Sequence, residues 1–291
     1  MLLSFGFIAV YVVLVGIASF AEKLVSASLD AFELNAAVRA GVLALALPAV
    51  LVAHGAALPT LWSVLAGFGI GVLAGVGVLF YFLALKRLPV WLVVCLADGY
   101  ILITAFLGIL VLGEAATAGR IAGLLLTVAG IVLLSYDGEQ AGGEGRSGRE
   151  PKRLLYLACM APYIALLGAS SFLEKPALRH LDPLQLNALV SLGMNAVALP
   201  VLLVRDRSIP LGRSALKGMG IGCMIGLATI FYYLGLVHLP VSVGATLANT
   251  YVVVTVLLAI VVRHRSVTAL KIGAIVTLIA GVVLLTIRVH I

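Results

Sequence analysis

The sequence predicts an all-α membrane protein that crosses the bilayer ten times and consists of two inverted repeats of five helices each. Composition is the first reason, since 63% of the 291 residues are hydrophobic and 11% are charged, whereas soluble domains carry roughly 25% charged residues. The second reason is that apolar runs fill the whole length of the chain. The third is a set of motifs that recurs at a nearly constant offset.

Ten apolar stretches are long enough to cross a membrane, whose core of about 30 Å needs roughly 20 residues of helix. Their continuous rather than alternating character favours helices over barrel strands. The stretches lie near residues 2–25, 35–53, 61–85, 89–112, 119–136, 154–176, 184–204, 215–237, 240–262 and 268–288. The polar, glycine-rich segment 137–153 predicts a flexible linker. It separates a first repeat at 1–136 from a second at 154–291.

Matching motifs in the two halves identify the duplication. SFAEK at 19–23 corresponds to SFLEK at 171–175, an offset of 152 residues. One residue is then lost, and at an offset of 151 LFYFLALKRLPV (79–90) corresponds to IFYYLGLVHLPV (230–241). Because five spans are an odd number, the second copy must enter the membrane from the opposite side.

The distribution of basic residues supports this inversion and predicts an orientation. Odd-numbered connections hold 13 of the 19 Lys and Arg residues. These residues are Lys86, Arg87, Arg146, Arg149, Lys152, Arg153, Arg205, Arg207, Arg213, Lys217, Arg263, Arg265 and Lys271. Cytoplasmic loops carry an excess of Lys and Arg. We therefore expect the odd-numbered connections in the cytoplasm and both termini outside, in a plasma or inner membrane.

The segment LPVWLVVCLADGYILITAFLGILVLGEAATAGRIAGLLLTVAGIVLLS at 88–135 resembles the second part of an EamA repeat. In that pattern a helix begins at Pro and ends at Gly-Glu-x-x-Thr, and a helix with spaced glycines follows. The matching residues are Pro89, Gly113, Glu114, Thr117, Gly123 and Gly130, with Pro240, Thr268 and Gly281 in the second copy. There His264-Arg265 replaces Gly-Glu. The resemblance covers nearly all of the chain. It implies the ten-helix drug/metabolite transporter superfamily, whose members are secondary transporters with alternating access and often exporters.

Asp98 is the leading candidate for a substrate or ion site. It lies about 8 residues into its span, or roughly 12 Å into a core of roughly 30 Å, near the level at which transporters bind substrate. Its repeat partner is Asn249. A single buried acid suits proton coupling or a cationic group. The alternative is a structural carboxylate satisfied by Lys23, Lys175 or free backbone groups at Gly99.

Tyrosines within the spans are candidates for the wall of a substrate cavity, because a buried phenol needs a hydrogen-bond partner. They are Tyr11, Tyr163, Tyr100 and Tyr251. Three further tyrosines end the third and eighth spans, and for these anchoring at the membrane interface is favoured over cavity lining. They are Tyr81, Tyr232 and Tyr233.

Charged and small residues complete the set of candidates. Glu22, Lys23, Glu174 and Lys175 could form a gate or couple an ion, although interfacial snorkelling is the simpler interpretation. The third and eighth spans share a glycine pattern, which predicts close packing or a sliding surface between these two helices. The glycines concerned are Gly71, Gly75, Gly222 and Gly226.

These features favour a proton-coupled carrier of a small polar metabolite or drug-like molecule. A flippase for a polyprenyl-linked sugar or related lipid is the alternative. An intramembrane enzyme and a non-transporting membrane subunit are disfavoured hypotheses, and all five histidines lie in loops or at helix ends. The sequence contains no metal-ligand spacing, nucleotide-binding loop or basic-aromatic pattern for nucleic acid. The expected partners are therefore a small molecule, protons and the bilayer, with no cofactor.

Overall fold

The computed structural model describes residues 2–26, 28–55, 59–85, 88, 90–140, 153–206, 212–263 and 268–287. Within these ranges the chain forms thirteen helices and no strand. The helices are α1 (Leu2–Val25), α2 (Ala31–His54), α3 (Leu61–Leu85), α4 (Val90–Ala97), α5 (Tyr100–Leu112), α6 (Ala118–Gln140), α7 (Arg153–Ala158), α8 (Met160–Ala177), α9 (Pro183–Asp206), α10 (Arg213–Leu236), α11 (Val241–Ala248), α12 (Tyr251–Arg263) and α13 (Ala269–Ile287).

The helices agree with a chain that crosses a membrane several times. In the described residues seven helical stretches are long and apolar enough to span it, and three shorter apolar helices bring the number to ten. The predicted linker at 137–153 is wrong at its edges, because α6 continues to Gln140 and α7 begins at Arg153. No proline interrupts residues 137–140, so helical hydrogen bonds continue past the apolar run. Residues 141–152 lie outside the described part of the chain.

Three of the ten predicted spans are each divided into two helices, which the apolar pattern does not predict. The sixth is interrupted at Cys159. Pro162 explains this break, because it has no amide hydrogen for the carbonyl of Ala158 and its ring crowds that oxygen. The fourth and ninth spans are interrupted after Ala97 and after Ala248. These two positions correspond to each other in the two repeats, at an offset of 151.

The chain divides into two compact units, and each takes helices from both repeats. The first unit contains Met1–Val76 and Leu173–Leu239, and the second contains Gly77–Phe172 and Pro240–Ile291. In the first unit α10 packs against α1 and α2, and α2 also packs against α9. In the second unit α6 packs along α13, α4 contacts α6, and α11 contacts α5. A compact unit is therefore different from a sequence repeat.

Glycines allow α6 and α13 to approach closely in the second unit. A Cβ atom on Gly281 would lie 2.5 Å from the amide nitrogen of Thr127. A Cβ atom on Gly130 would lie 2.7 Å from the amide nitrogen of Leu278. Both distances are too short for a side chain, so only glycine permits this separation of the helices. These are spaced glycines of the EamA-like pattern, whose physical role here is helix packing.

Both repeats begin their second span with a capping box. The Asp30 carboxylate accepts a hydrogen bond from the Phe32 amide at 2.8 Å, and Glu33 accepts one from the Asp30 amide at 3.0 Å. In the second repeat Asp182 accepts from the Gln185 amide at 3.0 Å, and the Gln185 side chain accepts from the Asp182 amide at 3.3 Å. Each pair satisfies free amides at a helix N-terminus. The duplicated sequence therefore forms the same local structure twice.

Candidate functional site

Asp98 lies at the break in the fourth span, between α4 and α5. The Gly99 amide donates to the Leu96 carbonyl at 3.0 Å, and the Ile101 amide donates to the Asp98 carbonyl at 3.1 Å. Both bonds join residues three apart, as in a 3₁₀-helix. Gly99 keeps right-handed dihedrals, with φ −58° and ψ −19°. The break is therefore a tightened turn, a feature that often marks a hinge when it occurs inside a helix.

The Asp98 side chain is 8% exposed. Among the described residues, no group forms a hydrogen bond with its Oδ2 atom. In the same part of the chain it belongs to no group of three or more His, Cys, Asp or Glu side chains that could hold a metal ion. Burying an ionised carboxylate without a partner costs on the order of a few kcal/mol. The Asp98 carboxyl group is therefore suited to take a proton, a cation or a hydrogen-bond donor from a ligand.

Asn249 lies at the corresponding break in the ninth span, between α11 and α12, and is 4% exposed. Its Nδ2 atom donates to the Ala245 carbonyl at 2.8 Å and to the Tyr100 hydroxyl at 2.7 Å. Tyr100 is the first residue of α5 and follows Asp98 by two positions. The second unit therefore connects its two helix breaks by a hydrogen bond between side chains.

Tyr163 and Tyr251 also belong to the second unit. Tyr163 is 8% exposed, and its ring centroid lies 5.3 Å from that of Tyr81. Both rings pack in a cluster that includes Ala97, the last residue of α4. Tyr251 is partly buried at the start of α12, and its carbonyl accepts a hydrogen bond from the Thr255 hydroxyl at 3.2 Å. Each tyrosine thus lies beside one of the two breaks.

Tyr11 lies in the first unit and has different neighbours. Its ring centroid is 5.2 Å from that of Tyr232, which in turn is 5.5 Å from that of Tyr233. The Tyr233 hydroxyl donates to Oε1 of Glu174 at 3.1 Å. Tyr232 and Tyr233 are 7% and 1% exposed, so the expectation of interfacial anchors is wrong for both. Their rings pack inside the unit because α1 and α8 supply aromatic and carboxylate partners there.

The other charged residues of the repeated motif take separate positions in the first unit. The Lys175 ammonium group donates to two carbonyls at the C-terminal end of α10, including that of Val237 at 2.9 Å. A cation is favourable there, where backbone carbonyls lack helical partners. Glu22 is partly buried and lies within electrostatic range of Arg39, whereas Lys23 is exposed in the last turn of α1.

The matched glycines of the third and eighth spans approach other helices in the first unit. A Cβ atom on Gly71 would overlap the carbonyl oxygen of Val190 in α9, and one on Gly222 would overlap that of Val38 in α2. The same two helices are faced by Gly75 and Gly226. The predicted partnership of the third span with the eighth is therefore wrong. The reason is that glycine spacing indicates a close contact but does not identify the partner helix.

Glu114 has a role that the sequence analysis missed. Its carboxylate accepts hydrogen bonds from the amides of Val241 and Ser242 and from the Ser242 hydroxyl, all in the second unit. It therefore caps the N-terminus of α11, where a negative charge is favourable. Gly113 ends α5 with φ +67°, a left-handed conformation that glycine adopts readily. The Gly-Glu motif could have indicated a capping residue, but the motif does not identify the helix that is capped.

Comparison with known proteins agrees with this architecture. The family model described as "EamA-like transporter family" matches twice, at residues 3–136 and 155–287. A search of curated proteins finds no match. A solved structure described only as "Crystal structure of protein" has a TM-score of 0.79 and 22% sequence identity, covering 99% of this chain and 96% of that chain. At this identity the likeness shows the fold alone. The two family matches cover most of the chain, which therefore belongs to the EamA-like transporter family.

Proposed function

We propose that this chain is a secondary active transporter that moves a small polar metabolite or drug-like molecule by alternating access, coupled to protons at Asp98. The observation that carries the proposal is the pair of interrupted spans. They break at Asp98 and Asn249 and are connected through Tyr100. Interrupted helices are the elements that transporters use to present polar groups to substrates and ions within the membrane.

The chemistry of the two side chains at the breaks supports proton coupling. A protonated carboxyl group is neutral and donates one hydrogen bond, whereas the ionised group only accepts. Asp98 can therefore exchange a proton for a donor or cationic group of the substrate. Asn249 does not titrate, and its hydrogen bond holds the Tyr100 hydroxyl in place. Coupling then depends on one of the two repeats, while the other supplies a constant hydrogen-bonding group.

Inversion of the two repeats supplies the route to alternating access. Two copies of one fold with opposite orientations can exchange conformations, which opens a site first to one side and then to the other. The charge distribution supports cytoplasmic odd-numbered connections and external termini, and the family resemblance favours export. A reporter fused to the C-terminus tests this topology. Its activity in the cytoplasm would contradict the orientation but leave the transport proposal intact.

The coupling proposal is tested in liposomes that contain the purified protein. A thermal-stability screen of amino acids, organic cations, nucleosides and sugars first identifies a ligand, because specific binding stabilises the folded state. Uptake of that ligand is then measured with and without a pH gradient. We expect the gradient to accelerate uptake by the wild type and not by Asp98→Asn. Asp182→Asn is the matched control, since Asn caps a helix as well as Asp. An unchanged gradient effect in Asp98→Asn would refute the coupling role.

A groove in the first unit favours the flippase as a second candidate. It lies between the end of α1 and the start of α10, with a volume of about 460 Å³. Its lining is Ala21, Leu24, Val25, Ser28, Lys217, Gly220, Ile221 and Met224. Apolar walls suit a polyprenyl chain, and an ammonium group suits a phosphate. Stabilisation by polyprenyl phosphates and by no soluble metabolite would favour this function over the carrier.

A further inference from the structure

The groove between α1 and α10 in the first unit is a cavity that the proposed coupling at Asp98 does not use. The most deeply buried residues of its lining are Val25 and Ile221, at 8% and 7% exposure. Its volume of about 460 Å³ lies within the range of ligand pockets, roughly 300–1,000 Å³. The residues around it decide which kind of molecule it fits.

The two helices that form the groove run in opposite directions. Near the start of α1, the ring of Tyr11 packs against that of Tyr232 near the end of α10. At the other end of α1, Val25 shares a buried cluster with Ile221. The end of α1 and the start of α10 therefore lie at the same surface of the membrane. The orientation proposed above makes this the cytoplasmic surface, where basic pockets between helices bind anionic headgroups.

The polarity of the lining changes from this surface towards the interior of the membrane. Ser28 and Lys217 lie nearest the surface, where α1 ends and α10 begins. Ala21 and Met224 lie seven residues further in along their helices, a distance of roughly 10 Å. A phospholipid shows the same change, from a polar headgroup to an apolar acyl chain.

The polar end of the groove carries positive charge. Lys217 is exposed, and in the described part of the chain no acidic side chain forms a salt bridge with it. Arg213 is also exposed and lies four residues earlier, on the same face of α10. Asp30, which follows Ser28 by two positions, is engaged in the capping box of α2. An anionic group is therefore the complement of this end.

Gly220 leaves space in the wall of the groove. Two residues to either side of it, Gly218 and Gly222 face α2, where a Cβ atom would lie 2.9 Å from the Cβ atom of Ala37 or overlap the carbonyl of Val38. A Cβ atom on Gly220 would meet no atom of the described residues within 4 Å. Helix packing therefore explains the other two glycines but not this one, although glycine is unfavourable inside a helix.

We propose that this groove binds an anionic glycerophospholipid of the surrounding membrane, with phosphatidylglycerol as the best match. The Lys217 ammonium group pairs with the lipid phosphate through charge-assisted hydrogen bonds. The Ser28 hydroxyl donates to the Val25 carbonyl at 2.9 Å, so its oxygen offers acceptor sites to the glycerol hydroxyls of the headgroup. Phosphatidylethanolamine would instead bring a second ammonium group beside Lys217. The inference concerns a bound lipid that is not transported, and it does not depend on the carrier activity.

The other repeat offers a matched control. At the offset of 151, Gly220 corresponds to Gly69 and Lys217 corresponds to Ala66. A Cβ atom on Gly69 would also meet no atom within 4 Å in the part of the chain that the structure describes. Gly69→Leu therefore adds the same side chain as Gly220→Leu, at an equivalent position that lacks the lysine.

Native mass spectrometry of the purified, delipidated protein tests the inference by counting bound lipids. Dioleoyl phosphatidylglycerol is titrated and compared with zwitterionic dioleoyl phosphatidylcholine and with glycerol 3-phosphate as a soluble anion. We expect a single tightly bound phosphatidylglycerol per chain, with the other two binding at least about tenfold more weakly. Lys217→Gln should weaken binding by about tenfold and Arg213→Gln by about fivefold. Gly220→Leu should abolish binding, whereas Gly69→Leu should bind as the wild type does.

The other outcomes would overturn the lipid site. Equal binding of both phospholipids, or equal losses in the two leucine variants, would show that the groove does not select an anionic lipid. Equally tight binding of glycerol 3-phosphate would indicate a site for a soluble anion. A polyprenyl phosphate that displaces phosphatidylglycerol and crosses the bilayer of liposomes would favour the flippase. Melting temperatures without lipid show whether Gly220→Leu is folded. If it is not, Lys217→Glu reverses an exposed charge and should abolish binding instead.

Discussion

The two interrupted spans, α4–α5 and α11–α12, occupy equivalent positions in the two repeats, but the residue that caps the second has an oppositely charged counterpart for the first. The N-terminus of α11 is capped by the Glu114 carboxylate, which reaches two amides and one hydroxyl group. The repeat partner of Glu114 is Arg265, which lies outside the described residues. An arginine side chain has no hydrogen-bond acceptor. The reversed charge therefore predicts that α4 does not receive the same cap from its partner loop.

The residues at the two breaks also differ in how many hydrogen bonds their side chains form. The Asn249 amide is engaged with a carbonyl and with the Tyr100 hydroxyl. The Asp98 carboxyl has an oxygen without a hydrogen-bond partner among the described residues. One break thus carries an amide that is held by two hydrogen bonds, while the other carries a carboxylate oxygen without such a bond in the described part of the chain. Because an unsatisfied buried acid is costly, this difference supports the proposal that protons couple at Asp98 and not at Asn249.

Replacing Asp98 by Asn would make the two breaks alike and should have the largest effect of the four changes, a loss of gradient-driven uptake. In Asp98→Asn both breaks carry an amide, which cannot take up or release a proton. We expect the rate of gradient-driven uptake to fall by at least about tenfold, which corresponds to roughly 1.4 kcal/mol in activation free energy. The melting temperature in detergent should stay the same or rise, because a neutral amide is less costly to bury than an ionised acid. Reduced folded yield together with a lower melting temperature would contradict this account.

Removal of the cap on α11 should have the next largest effect, this time on stability. Glu114→Ala leaves two amides and a hydroxyl at the helix N-terminus without their acceptor. The expected loss is about 2 kcal/mol in the free energy of unfolding, measured as a lower melting temperature. Glu114→Gln keeps an acceptor oxygen and should lose less. A stability equal to wild type in Glu114→Ala would show that the cap is not an anchor.

Removing the hydrogen bond that connects the two helix breaks should have a smaller effect on stability. Tyr100→Phe keeps the ring but removes the hydroxyl that accepts from Asn249 at 2.7 Å. We expect a loss of about 1 kcal/mol, the usual contribution of one hydrogen bond. Because the amide retains its bond to Ala245, the helix should remain intact. Combining Tyr100→Phe with Asn249→Ala in a double-mutant cycle measures the bond itself, and purely additive losses would argue against it.

The smallest effect is expected for Ser242→Ala. This change removes one of the three hydrogen bonds to Glu114 and leaves both amides in place. The expected loss is about 0.5 kcal/mol, well below that of Glu114→Ala. In the background of Glu114→Ala the same substitution should cost nothing further. An equal loss in both backgrounds would show that the hydroxyl acts independently of the carboxylate.

Sequence patterns predicted the spans and the repeat well, because both depend on local properties. Apolar length identifies a helix that can cross a bilayer, and motifs such as SFAEK and SFLEK need no tertiary information to be matched. The same reasoning selected Asp98 and Asn249, since a polar group stands out in an apolar run. It did not predict the breaks beside them. A short change from α-helical to 3₁₀ hydrogen bonding alters neither hydropathy nor the length of the run.

Partners far apart in the chain could not be predicted. Glu114 and Val241 are 127 residues apart, and Glu174 and Tyr233 are 59 residues apart. The glycines of the third span were expected to meet the eighth, yet Gly71 meets Val190 of α9. In each case the sequence shows that a residue can make a contact. Which residue it contacts depends on the helices that packing brings beside it.

By itself the sequence determined that this chain is helical, membrane-spanning and internally duplicated, because water, lipid and backbone hydrogen bonding act on each segment separately. The tertiary structure decided which carboxylates are partnered. Glu114 caps a helix, Glu174 meets a tyrosine hydroxyl, and the Oδ2 atom of Asp98 meets no hydrogen-bonding group among the described residues. The physical reason is that the cost of a buried charge depends on its neighbours in space, and those neighbours are set only when helices far apart in the chain pack together.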